Sequence, residues 1–320
     1  MAVSMKAIKG RIKSVKNTRK ITKAMEMVSA AKMRKAIDAA LNTRLYARLT
    51  AELMRQLSAL QEPNYSLFRR NPVEKILMIL VTSNRGLCGS FNSNVLKFAD
   101  KILQDKENVA KHRKTDAGEE IDPEKEITID VLGVGRKSAD FARRAKLNLI
   151  SVFDALPETP TMEEVRPITD QAIQAFKDET YDKVVVVYTH FVSSLQQDVK
   201  VRQLLPVSDT DLQKILTDLP EKDEVTLPEQ TDTPIECYFL EPDRDTILEE
   251  VIPRLIEAEL FQAVLESSAS EHSSRMVAMK NATESAGEMI DSLTLTFNKA
   301  RQAAITQEIA EIAGGAAALE

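Results

Sequence analysis

The residues best able to do chemistry sit in one short stretch, Asn84-Arg85-Gly86-Leu87-Cys88-Gly89-Ser90. It follows an apolar run at 75–83 (KILMILVTS) and precedes a helical one at 93–103. Phosphate-binding loops occur at such glycine turns, because the N–H groups that open the helix face the ligand. Here the lysine and the GxxxxGK[ST] spacing of a Walker loop are missing, and a tight strand-to-helix turn with functional surface is the better reading. Cys88 has no histidine close in sequence to generate a thiolate. It lies 149 positions from Cys237, which is neither a disulfide framework nor a metal-ligand spacing, so a reducing compartment is the default. His112, His190 and His272 are scattered, and isolated histidines are ordinarily structural or solvated. The acids Glu249, Glu250, Glu257 and Glu259 fall on a helical segment, where a solvated face accounts for them. These residues assemble no catalytic centre, no cofactor site and no metal site, and the sequence reads as non-catalytic.

Charge is more telling than chemistry. The net charge is −6, yet residues 1–36 hold eleven Lys/Arg against the single acid Glu26, while residues 244–320 hold six Lys/Arg and thirteen Asp/Glu. A basic end can bind nucleic acid or acidic lipid. With no aromatic before Tyr46, base stacking is unavailable, and two oppositely charged ends lying side by side explain the asymmetry better. The longest apolar run, 76–81, is far short of the ~20 residues of a membrane span. The start lacks the apolar core of a signal peptide, and its Lys-dominated charge argues against a transit peptide.

Those ends must be long helices. From 7 to about 61 there is no proline and only Gly10 interrupts. Ile8, Ile12, Val15, Met25 and Val28 mark one face, and Ile37, Leu41, Leu45, Leu49, Leu53 and Leu57 recur every four residues, a stripe that winds round the helix. From about 245 to 312, Met276, Met279, Thr283, Ala286, Ile290, Leu293, Phe297, Ala300 and Ala304 step by 3, 4, 3, 4, 3, 4, 3, 4. That is a heptad seam, which demands a facing helix. A helix of ~65 residues is ~100 Å long, too long for a compact domain of this size. The expectation is an antiparallel coiled coil of the two ends, with Ile8, Ile12, Val15, Val28, Met276, Met279, Ala286, Ile290, Leu293, Phe297, Ala300 and Ala304 at its seam.

Between them, strands alternate with helices, which implies a small Rossmann-like α/β domain with a largely parallel sheet. Strands are expected at 75–83, 127–134 and 183–188, with a possible edge strand at 199–206. Helices are expected at 93–103, 135–146 and 162–178. The organisation reads as an N-terminal coiled-coil helix (1–62), the α/β domain (73–208) with a polar insert (105–126), an acidic insert and linker (209–242) that holds a short helix at 212–219, and a C-terminal coiled-coil helix (243–320).

Four strings then carry a resemblance. KITKAMEMVSAAKMRK at 20–35, NRGLCGSFN at 84–92, EHSSRMVAMK at 271–280 and FNKARQAAITQEIAEIAGGA at 297–316 resemble, in the right order, the gamma subunit family of F-type ATP synthases. The last holds the family signature Ile305-Thr306-x-Glu308-x-x-Glu311-x-x-x-Gly315-Ala316. The resemblance implies a central-stalk rotor that couples ion-driven rotation of a membrane c ring to the conformational cycle of catalytic beta subunits, and that regulates ATPase activity and ion flow. It implies three alpha and three beta subunits around the coiled coil, and an epsilon subunit and the c ring at the globular part. The location implied is peripheral, on the cytoplasmic side of a bacterial cell membrane, with no nucleic acid bound. By resemblance, Arg275, Arg301, Gln302, Thr306 and Glu308 engage beta-subunit loops, as do Met25, Lys23, Arg34 and Lys35 near the mouth of the ring. Plastid relatives carry a close regulatory cysteine pair that this sequence lacks. A coiled-coil RNA-binding or adaptor protein is the competing reading.

Overall fold

The computed structural model describes residues 5–58, 66–69, 72–110, 127–207 and 244–317, with side chains omitted over 44–58 and at a few other helical positions. The insert residues 111–126 and 208–243, with the expected helix at 212–219, lie outside the described residues.

Helix α1 spans Met5–Ser58 and helix α6 spans Arg244–Ala317, 54 and 74 residues respectively. Between them come β1 (Lys75–Val81), α2 (Phe91–Gln104), α3 (Lys106–Ala110), β2 (Thr128–Val134), α4 (Arg136–Arg144), β3 (Leu149–Phe153), α5 (Met162–Lys177), β4 (Lys183–Phe191) and β5 (Gln197–Leu205). The five strands form one sheet in the order β3-β2-β1-β4-β5. β1 pairs in parallel with β2 and β4, β2 with β3, and only β5 runs antiparallel, on β4. The apolar runs of β1 and β4 are buried almost throughout, as central strands covered on both faces must be. Leu77, Ile79, Val184 and Val186 face α5 and the first part of α6, through Ile168, Ile252 and Leu260. Ile76, Met78, Leu80 and Val185 face α2 and α4, through Val95, Ala99 and Phe141.

Two elements were not foreseen. Strand β3 is an edge strand whose LISVF run is only half buried, so it shows neither a long apolar run nor a full alternation. Helix α3 lies inside the polar insert. Helix α5 opens on a capping box, in which the Thr161 N–H donates to the Glu164 carboxylate at 2.7 Å, the arrangement that fixes its start.

The chain divides into two units, Met1–Ala31 with Arg275–Glu320, and Lys32–Ser274. These compact units divide both long helices internally. The reason lies in the burial. Ala36 and Ala40 of α1, and Ile252, Leu255, Ile256, Leu260 and Leu265 of α6, are buried, most of them in the core cluster under the sheet. Glu257 and Glu259, expected on a solvated face, are buried among them, and Glu257 pairs with Arg166 at 2.9 Å. Leu41, expected on the inward stripe, is exposed, and the small alanines take its place. Leu45, Leu49, Leu53 and Leu57 have no described side chains.

Gly135 joins β2 to α4 with φ of +86°, and a Cβ there would stand 2.2 Å from the Thr82 carbonyl oxygen. Gly135→Ala combines a left-handed backbone with a backbone clash. It is expected to cost about 2–4 kcal/mol, seen as a lower thermal midpoint of the purified chain; an unchanged midpoint contradicts this packing of the turn.

Candidate functional site

Within the first unit, α1 and α6 run antiparallel. The hydroxyls of Thr22 and Thr283 are 2.8 Å apart, and Arg19 passes Gly287, its guanidinium carbon 3.7 Å from where a Cβ would stand. Lower numbers on one helix thus meet higher numbers on the other. With equal rise per residue, Val15 stands level with Ile290, Ile12 with Leu293, Ile8 with Phe297, Glu26 with Met279 and Ser29 with Met276. Every one of these α6 residues is a seam position, and every α1 residue follows the reversed 4, 3, 4, 3 spacing. Ile8, Met279, Ala286 and Ile290 are buried, and Ile12, Val15, Met276, Leu293, Phe297, Ala300 and Ala304 are half-buried.

Val28 is the exception. It is 51% exposed, while its neighbour Ser29 is 3% exposed and Thr22 is 9% exposed. A strict heptad carried on from Ile8, Ile12 and Val15 reaches Arg19, Thr22, Glu26 and Ser29. The expected seam position Val28 is therefore corrected to Ser29, because apolar character alone points one residue away from the heptad position. The missing signal was spacing, which a polar or small residue satisfies as well as an apolar one. The two hydroxyls meet across the seam while each also lies on a carbonyl of its own helix, Arg19 at 3.1 Å and Met279 at 2.8 Å, and small side chains let the helices approach closely.

The residues expected to meet partner loops divide into two groups. Lys23 is exposed and pairs with Glu26 at 2.9 Å, and Met25 is half-buried. Arg34 and Lys35 are exposed in the second unit. Arg301, Gln302, Thr306 and Glu308 are exposed on α6, and the Thr306 hydroxyl donates to the Gln302 carbonyl at 2.9 Å. Arg275 does not belong with them, because it is 8% exposed and already engaged within the chain. Apolar side chains also face outward on this unit: Ile21, Met27 and Val28 on α1, and Met289, Leu295, Ile305, Ile309 and Ile312 on α6. Such a concentration marks surface that another protein covers.

The second unit has a cleft of about 560 Å³ at the carboxyl ends of β1, β2 and β3, bordered by Asn84, Arg85, Arg136, Asp154 and Glu271. In open α/β sheets ligands bind outside the carboxyl ends of strands. Here the donors that a phosphate needs are already used. The N–H of Arg136 donates to Asn84 Oδ1 (3.0 Å), that of Lys137 to the Ser83 carbonyl (3.3 Å) and that of Ser138 to Thr82 Oγ1 (2.9 Å). Arg136 is itself paired with Asp154 at 2.9 Å. In the first turn, Leu87 and Gly89 take positive φ. Cys88 is buried there, where its sulfur accepts from Asn92 Nδ2 at 3.1 Å. Such a thiol is a packing group, not a nucleophile. No cluster of three or more acidic, histidine or cysteine side chains suited to a metal occurs among the described residues. No described helix is long and apolar enough to cross a membrane.

Comparison with known proteins follows the same lines. Residues 4–319 match the family model described as ATP synthase. The chain is 39% identical over 320 residues to the ATP synthase gamma chain of Chloroflexus aurantiacus, in strain J-10-fl and equally in strain Y-400-fl, covering 99% of both proteins in each case. Its fold is similar to a chain of the mitochondrial ATP synthase central stalk/c-ring of Tetrahymena thermophila (TM-score 0.54, 23% identity, 82% of this chain and 99% of that one). It is also similar to a chain of the mitochondrial ATP synthase rotor of Euglena gracilis (TM-score 0.57, 17% identity, 94% and 98%).

The seam ranks substitutions. Ile290→Asp places a carboxylate at a buried, apolar position and is expected to destabilise the purified chain by roughly 2 kcal/mol or more. Val28→Asp is expected to stay within about 0.5 kcal/mol of the parent. Denaturant melts followed by circular dichroism check the order, and equal or reversed effects contradict the seam.

Proposed function

The chain belongs to the ATP synthase gamma-chain family, and on that premise we propose how its residues do the work of a rotor. It is a non-catalytic subunit of the rotary complex, acting in the central stalk. The observation that carries this is the match to the gamma chain across 99% of both proteins, since a partial match would leave one unit unaccounted for. The RNA-binding alternative has nothing comparable in its favour.

The paired helices of the first unit stand inside a ring of three alpha and three beta subunits, where the outward apolar side chains of α1 and α6 are covered. Lys23, Arg34 and Lys35 meet acidic beta-subunit loops, with Met25 beside them. Arg301, Gln302, Thr306 and Glu308 form a second set of beta contacts nearer the end of α6. Arg275 is left out of the contact set because it is buried. The second unit binds an epsilon subunit and rests on the membrane c ring, which makes the chain peripheral on the cytoplasmic side of the cell membrane.

The mechanism needs asymmetry and no chemistry of the chain's own. Two helices of different sequence show a different face to each beta subunit at any angle. A contact shifts a site's conformation only by binding one conformation better than another. Turning the helix pair therefore turns angle into differential nucleotide affinity, and by reciprocity ATP hydrolysis turns the pair. Each ion crossing the membrane supplies ~2.3 kcal/mol per charge per 100 mV, so the work of several ions must be held in the stalk for each ATP. A paired, interlocked seam holds that strain better than one helix.

Co-expression with alpha and beta subunits of a related bacterium tests the reading. The expected outcome is an assembly with one copy of this chain per six ring subunits and with ATPase activity that the chain alone lacks. Recovery of an active ring without this chain bound would contradict it.

A further inference from the structure

In the second unit, α6 meets the sheet in two chemically different ways. Between Ile252 and Leu265 the residues that join the core under the sheet are apolar, among them Ile252, Leu255, Ile256, Leu260 and Leu265, while Glu257 pairs with Arg166 of α5 at 2.9 Å. From Glu266 to Ser274 the contact is a row of hydrogen bonds to the β4–β5 hairpin, made by side chains that are mostly buried. Glu266, 6% exposed, accepts from the His190 ring at 2.6 Å and from Gln262 Nε2 at 2.9 Å. Burial pushes its carboxyl up, but the bonds from His190 and Gln262 and the charges of His190 and Arg202 outweigh that and hold it below the usual range. Ser270, fully buried, donates to the Thr189 carbonyl at 3.3 Å. Ser273, also fully buried, donates to the Ser194 carbonyl at 2.8 Å. Ser274 donates to Gln197 Oε1 at 3.0 Å.

The two kinds of contact resist different motions. Apolar packing is non-directional and proportional to area, so it holds a helix at a distance while opposing rolling and sliding only weakly. Hydrogen bonds weaken steeply once donor and acceptor leave alignment, so a row of them fixes both the azimuth and the register of a helix. We propose that the Ser270 and Ser273 bonds to the β4–β5 hairpin, with the Glu266–His190 pair, form the joint through which torque enters α6 from the sheet. These are positioning residues, not contacts to any partner. The polar row ends at Ser274, and the boundary between the two units falls immediately after it. It is thus the last hold the sheet has on α6 within its own unit. The inference rests on the rotor function given above.

The test uses the whole ATP synthase reconstituted in ion-tight vesicles, with Ser270→Ala/Ser273→Ala in this chain. Serine-to-alanine changes favour helix, so folding and assembly are retained. The expected result is an unchanged ATPase rate in the detergent-solubilised complex, a smaller ATP-driven ion gradient in vesicles, and a wider angular spread of a probe attached to the α/β unit while the ring is held. Ser273→Thr, which keeps the hydroxyl, restores the gradient. A variant that sustains the parental gradient overturns the proposal, as does one that loses ATPase and gradient in equal proportion. If the double variant does not assemble, Ser273→Ala alone decides between the same outcomes. Failure of the unsubstituted chain to support any gradient would fall on the rotor assignment instead.

Discussion

One register governs the first unit: the antiparallel alignment that sets Thr22 of α1 against Thr283 of α6. Two segments separated by most of the chain have to meet, and both carry a 3.5-residue repeat, so only a few alignments bring seam to seam. Burying side chains such as Ile8, Met279 and Ile290 is worth about 1.5–3 kcal/mol each. That drives association but does not choose a register, because an apolar stripe shifted by a heptad still buries apolar groups. The choice falls to polar seam residues. In a shifted alignment the Thr22 and Thr283 hydroxyls lose each other but keep the Arg19 and Met279 carbonyls of their own helices, at 3.1 and 2.8 Å, so the shift forfeits one hydrogen bond, about 0.5–1.5 kcal/mol. The opposite charges of the two ends add to the pairing in sign, although each exposed pair contributes little.

The same economy of donors explains why the α/β unit has the topology of a nucleotide-binding fold without its site. The N–H groups that open α4 face Asn84, Ser83 and Thr82, and the arginine at the cleft is committed to Asp154. The carboxyl-end crevice has become a set of internal ties. The sheet serves as the body to which the first part of α6 is fastened, through Ile252, Leu260 and Leu265 among others.

Much of this was legible in the sequence. The α6 heptad announced itself because its residues are mostly apolar or alanine and step without a break. β1 and β4 were plain because central parallel strands are near-continuous Val, Ile and Leu. The family was recognisable from the turn at 84–92 and the string at 297–316. The failures have a common cause. Val28 was assigned to the seam, and Ser29 passed over, because hydrophobicity was read in place of spacing. The inward alanines Ala36 and Ala40 lost to the larger Leu41 for the same reason. β3 was missed because an edge strand need not be fully apolar. The burial of Arg275 was not visible either, since a charged residue in a helical run carries no mark of what packs over it.

The most direct test of the register is a disulfide at the Thr22–Thr283 contact. In a chain with Cys88 and Cys237 replaced by Ser, Thr22→Cys/Thr283→Cys should oxidise to an intramolecular disulfide, because the two side chains already touch. Val28→Cys/Thr283→Cys should not, because Val28 is exposed and stands about 9 Å further along α1 than Thr22. Non-reducing electrophoresis after mild oxidation, with peptide mapping of the bridge, reads both. A bridge in the first variant and none in the second is the predicted result. No bridge in the first, or equal bridging in both, would contradict the antiparallel pairing on which the account stands.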